Sequence, residues 1–97
     1  MKLEEAIAAL GECRREIDVL DLEILALLNR RTSIVERIGE VKRQFSLPVY
    51  EPKREDEVFR NVLEHNGGPL PPDAVRRIFE RVVDEMRTLQ KLRNESK

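Results

Sequence analysis

The chain has 97 residues, of which 38 % are charged and only 4 % aromatic, with a formal net charge of −1. That length supports one domain with a modest core, so residues 1–97 are expected to form a single unit of helices with solvated outer faces rather than a sandwich or barrel. The near-neutral balance, without a basic block, excludes generic nucleic-acid or membrane-surface binding.

The first stretch, MKLEEAIAAL, carries acids inside its apolar pattern and does not read as a signal peptide. Cys13 is the only cysteine, which precludes an intrachain disulfide and fits a reducing cytoplasm; it reads as a small packing residue at a helix interface. Apolar residues then recur at steps of three and four: Leu3, Ile7, Leu10, then Ile17, Leu20, Ile24, Leu27, then Ile34, Ile38, Val41 and Phe45. Arg14 and Arg31 fill the two gaps in that seam. The spacing predicts one helix over about residues 3–44, roughly 60 Å long. The longest apolar run, around Ile24–Leu28, is far too short to span a membrane.

SLPVY (46–50) breaks the helix, because Pro48 restricts Leu47 to extended geometry. A second helix is predicted from Pro52 to about residue 65. HNGGP (65–69) ends it, with Asn66 or Gly67 in the left-handed cap and Pro69 blocking continuation. A third helix is predicted over about 72–92, with Val75, Ile78, Phe79, Val82, Val83, Met86 and Leu89 on its apolar face. The tail RNESK is expected to fray. The fold class is therefore all-α, with a very long first helix. Two short helices cannot cover so long an apolar seam, which predicts an intertwined antiparallel homodimer.

Charged residues that interrupt the apolar pattern carry the functional signal. A guanidinium on a buried seam needs an anionic partner. Arg14 and Arg31 either pair internally with Asp18, Asp21 or Glu16, or snorkel to solvent, or hold a ligand. They lie 17 positions apart, about 25 Å along one helix, so one chain cannot put both on a small ligand. In an antiparallel dimer centred near residues 22 and 23, Arg14 of one chain lies opposite Arg31 of the other, giving two equivalent sites. Lys42 follows Arg31 by eleven residues, almost three whole turns, and so projects from nearly the same face. In EPKREDE (51–57), Glu51, Arg54 and Glu55 share one face of a helix start. Gln90 extends the apolar face of the third helix, where it needs hydrogen-bond partners or ends in solvent. Together these residues make a cationic pocket with carboxylates and an amide, suited to a small dianion that also carries a hydroxyl. No glycine-rich phosphate loop, Cys/His metal cluster or nucleophile–base pair is legible, so no metal or cofactor is expected. His65 reads as a cap-region residue.

In their order and spacing, R-x-x-I-x-x-x-D (Arg14–Asp21), LLNRR ending at Arg31, IGEVK ending at Lys42, LPVYEPKRE and the late Gln90 resemble the all-α chorismate mutase family. EHNGGPL also resembles mutase domains fused to heptulosonate-phosphate synthase, implying association with that enzyme. The resemblance implies the Claisen rearrangement of chorismate to prephenate, without cofactor or covalent intermediate. It implies that Arg31 and Arg14 of the second chain hold carboxylates, that Lys42 and Gln90 donate to the ether oxygen, that Glu55 takes the ring hydroxyl with Glu51 nearby, and that Arg54 supports the anionic end. Two positions depart from the pattern. Glu51 stands where relatives carry aspartate, and Met86 stands where some members place a serine. The alternatives are isochorismate-pyruvate lyase on the same scaffold, a structural dimerisation module, and a regulatory domain that binds chorismate or prephenate.

Overall fold

The computed structural model describes residues 1–95. It contains α1 (Leu3–Gln44), α2 (Pro52–Glu64) and α3 (Pro72–Glu95), with no strand among the described residues. The all-α expectation and the order of the three elements hold.

Helix α1 begins with Glu4 and Glu5 in its first turn and ends with Lys42 and Arg43 in its last, so both ends complement the helix dipole. It stops in a reverse turn. The Leu47 amide donates to the Lys42 carbonyl at 2.8 Å and the Ser46 amide to the Arg43 carbonyl at 3.3 Å, with Ser46 at φ 53°. This is a Schellman cap whose left-handed position holds a serine instead of the usual glycine. The sequence pattern points to Pro48 as the break and does not reveal this cap, because serine carries no signature of that conformation.

The chain divides into two compact units, Met1–Ser33 and Ile34 onward. The first is a single helical stretch. None of its residues is buried, and the apolar positions Ile17, Leu20, Leu22, Ile24 and Leu27 are each more than half exposed. Cys13 and Arg14 are exposed as well, so the expected packing role of Cys13 is not met within the chain. A lone helix offers these side chains nothing to pack on.

The second unit holds the last turns of α1, the connector, α2 and α3. Its core contains Val35 from α1 and Val75 and Val83 from α3. Gly39 is buried too, and a β-carbon there would meet the Gln90 side chain at 3.5 Å, an ordinary packing distance. Helices α2 and α3 pack together, with Arg76 over the Phe59 ring at 4.8 Å.

Pro52 opens α2 at a first-turn position, as expected. The helix ends at Glu64, and His65 is the cap residue, its amide donating to the Asn61 carbonyl at 3.2 Å while the Asn66 amide donates to the Leu63 carbonyl at 3.4 Å. The left-handed residue is neither Asn66 nor Gly67 but Gly68, at φ 76°. Asn66 explains the difference. Its side-chain oxygen accepts from the Gly68 amide at 3.0 Å and its side-chain nitrogen donates to the Leu70 carbonyl at 2.8 Å, which moves the turn two residues on. Helix α3 runs to Glu95, past the predicted end near residue 92. In that last turn Arg93 reaches Glu36 of α1 at 2.7 Å. The remainder of RNESK, residues 96 and 97, lies outside the described residues.

Glycine adopts the left-handed conformation without the steric cost that an L side chain carries, a cost of about 1 kcal/mol. Ser46→Gly should therefore raise the thermal midpoint by a few degrees, about 4 °C or more per kcal/mol for a domain of this size. An unchanged or lowered midpoint in a calorimetric scan would show that Ser46 is not strained.

Candidate active site

Lys42 is the most unusual residue of the fold, a lysine only 7 % exposed. A buried ammonium costs several kcal/mol unless its donors are met. Here it has two hydrogen-bond acceptors and one ion-pair partner. The Nζ atom donates to the Val49 carbonyl at 3.0 Å and to Gln90 Oε1 at 3.3 Å, and it pairs with Glu51 Oε1 at 2.6 Å. One ammonium thus joins the end of α1, the connector, the residue that opens α2 and the last turns of α3.

Each partner is placed by local structure. The Schellman turn brings the connector back over the end of α1, and Val49 comes with it. Glu51 sits at the N-cap of α2 yet makes no side-chain cap, because its carboxylate is drawn to Lys42 instead. Gln90 is 8 % exposed and lies against Gly39. An ammonium has only donors, so the amide must turn its oxygen to Lys42. That leaves the Gln90 NH₂ as a second donor beside the first.

One turn along both helices lies a second charged pair. The Glu55 amide donates to the Glu51 carbonyl at 3.0 Å, in the first turn of α2. The Glu55 carboxylate accepts twice from Arg87 of α3, from Nε at 2.9 Å and from Nη2 at 2.8 Å. Arg87 also donates to Asp84 at 3.1 Å, and its guanidinium stands 5.2 Å from the centre of the Tyr50 ring. The Glu55 hydrogen bond, partly offset by desolvation, raises the Arg87 pKa above its ordinary value, with smaller help from the charges of Glu55, Asp84 and Tyr50. Arginine is already protonated at every assay pH, and a raised pKa moves its loss of charge further into alkali. The pair therefore does not open by deprotonation of the guanidinium.

The structure brings together Lys42, Glu51 and Gln90, and sets Glu55 one turn beyond Glu51. Arg54 lies on the same first turn of α2 but is exposed, with no ion pair among the described residues. Arg14 and Arg31 belong to the first unit, where Arg14 is exposed and Arg31 half-buried. Met86 is half-buried one turn before Gln90. Sequence reasoning missed Val49, whose contribution is a backbone carbonyl, and Arg87. The one available signal for Arg87 was its position three residues before Gln90, on the same side of α3.

Among the described residues no helix is long and apolar enough to cross a membrane. The model of the family "Chorismate mutase type II" matches residues 13–91. The bifunctional chorismate mutase/prephenate dehydratase of Aquifex aeolicus is 41 % identical over 86 residues, covering 84 % of this chain and 24 % of its own length. The chain thus spans about a quarter of that relative. The chorismate mutase of Methanocaldococcus jannaschii is 30 % identical over 89 residues, 88 % of this chain and 87 % of its own. The solved chorismate mutase (form II) of Thermus thermophilus superposes with a TM-score of 0.84 at 32 % identity, over 86 % of this chain and 94 % of that one. This chain belongs to the type II chorismate mutase family, a family of isomerases.

Proposed function

We propose that this chain rearranges chorismate to prephenate by positioning and electrostatics, with Lys42 and Gln90 as the catalytic donors. The observation that carries the reading is their adjacency: an ammonium and an amide NH₂, side by side and nearly buried, in a chain of this family. The rearrangement breaks one C–O bond and forms one C–C bond within a single molecule, while negative charge grows on the ether oxygen. Donors held in a desolvated site stabilise that charge without having to reorganise. The Lys42 ammonium already has three partners, two hydrogen-bonded and one ion-paired, so substrate must displace one of them. Glu51 is the partner that can yield, being 46 % exposed. Glu55 takes the ring hydroxyl, Arg54 supports the anionic end, and Arg31 with Arg14 of a second copy holds the carboxylates. Selection of the compact substrate conformer supplies the remainder.

The second copy is part of the proposal. The exposed apolar side chains of residues 1–33 form a strip that soluble chains rarely leave in water. Antiparallel pairing of two such stretches covers it and sets Arg14 opposite Arg31. The single cysteine is in keeping with a cytoplasmic setting. Association with heptulosonate-phosphate synthase rests only on the EHNGGPL resemblance. The Aquifex relative joins its mutase to prephenate dehydratase instead, and an enzyme that consumes prephenate is the partner this comparison supports.

Conversion of chorismate by the purified chain, with the product identified as prephenate rather than as the fragments of a lyase reaction, tests the activity directly. Two further outcomes are expected. Gln90→Glu should become acid-dependent, because a carboxyl donates only when protonated and its ordinary pKa is about 4.3. Its activity should rise as pH falls toward that range while the wild type shows no such step, and a flat profile would show that Gln90 does not face the ether oxygen. Arg14→Ala and Arg31→Ala should each be nearly inactive as pure dimers. Unfolded together in equal amounts and refolded, they should recover about a quarter of wild-type sites, since half the dimers are mixed and each mixed dimer has one intact site of two. No recovery, with mixed dimers confirmed by mass, would contradict the shared site.

A further inference from the structure

Glu55 does not stand alone. Both of its oxygens accept from one guanidinium, in the parallel two-bond geometry that only arginine offers a carboxylate. The Glu55 side chain is 20 % exposed, so its charge is poorly screened by solvent. Arg87 is itself fixed from two further directions, by the Asp84 carboxylate and by the Tyr50 ring. Asp84 is 56 % exposed and its charge is largely screened. The compensation that matters is therefore between Arg87 and Glu55.

A site that takes a dianion has two reasons to need this compensation. A bare carboxylate on its wall repels the ligand, and a mobile one does not hold a hydroxyl in a fixed place. A carboxylate has about four lone-pair positions, of which Arg87 uses two. One position remains on each oxygen, enough to accept a hydroxyl hydrogen while the fork stays in place.

We propose that Arg87 is the positioning residue for Glu55: it fixes the plane of the carboxylate for the ring hydroxyl and cancels its charge before the dianion arrives. This rests on the reading that Glu55 contacts the substrate. Arg87 acts through Glu55 and touches no reacting atom.

The test measures kcat and KM for chorismate in Arg87→Met, Arg87→Lys, Glu55→Gln and the double variant Glu55→Gln/Arg87→Met, with a thermal midpoint for each. Arg87→Met should raise KM about tenfold or more, the scale of one charged hydrogen bond, with a smaller drop in kcat. Arg87→Lys keeps the charge and loses the fork, so it should recover part of KM but not reach wild type. The double variant should be no worse than Glu55→Gln alone, because a neutral Glu55 replacement leaves Arg87 nothing to position. Wild-type kcat and KM in Arg87→Met with only the midpoint lowered, or losses that multiply in the double variant, would overturn the inference. Impaired Glu55→Gln beside such a result sinks the role of Arg87 alone. Wild-type kinetics in Glu55→Gln itself would remove Glu55 from the hydroxyl contact, and the inference with it.

Discussion

The buried Lys42 ammonium is the constraint on which the second unit depends. A cation taken out of water must recover several kcal/mol from its partners, and removing any one of them leaves charge or polar groups unmet. Those partners come from three places in the chain: a connector carbonyl, the residue that opens α2 and an amide near the end of α3. Satisfying one ammonium therefore fixes where the connector turns, where α2 starts and how α3 lies against α1. Gly39 lies beside this contact, where a β-carbon would meet the Gln90 side chain at an ordinary van der Waals distance of 3.5 Å.

The same network arranges the chemistry. Lys42 orients the Gln90 amide, and the amide then presents its own hydrogens beside the ammonium. Glu51, at the N-cap of α2, makes no side-chain cap and pairs with Lys42 instead. One turn on, Glu55 and Arg87 form a second bridge between α2 and α3. The two bridges alternate charge along one seam, and the more exposed member of the first, Glu51, is the one able to move.

Much of this was legible in the sequence. The three-and-four spacing of apolar residues predicted α1, and Pro52 marked the start of α2, because these signals are local. Lys42, Glu51 and Gln90 stood out as polar residues on apolar faces, and they do meet. Arg87 did not stand out. Its partner Glu55 is 32 positions away, and an arginine on a helix rich in charge reads as a solvated side chain. The left-handed Ser46 was hidden because nothing in its type demands that conformation, and Gly68 was displaced by the side-chain bonds of Asn66. The seam of residues 1–33 was read correctly as apolar, and its apolar side chains are exposed.

The proposed role of the Lys42 ammonium, to stabilise charge on the breaking ether bond, goes beyond its part in holding the fold. Single-turnover rates for Lys42→Ala, measured on protein shown by circular dichroism to be folded, address it most directly. Loss of one preorganised donor to developing charge costs about 10²–10³ in rate, so the variant should bind chorismate and convert it at least a hundredfold more slowly. A folded variant that turns over chorismate at a near-wild-type rate would reduce Lys42 to a structural residue and contradict the account.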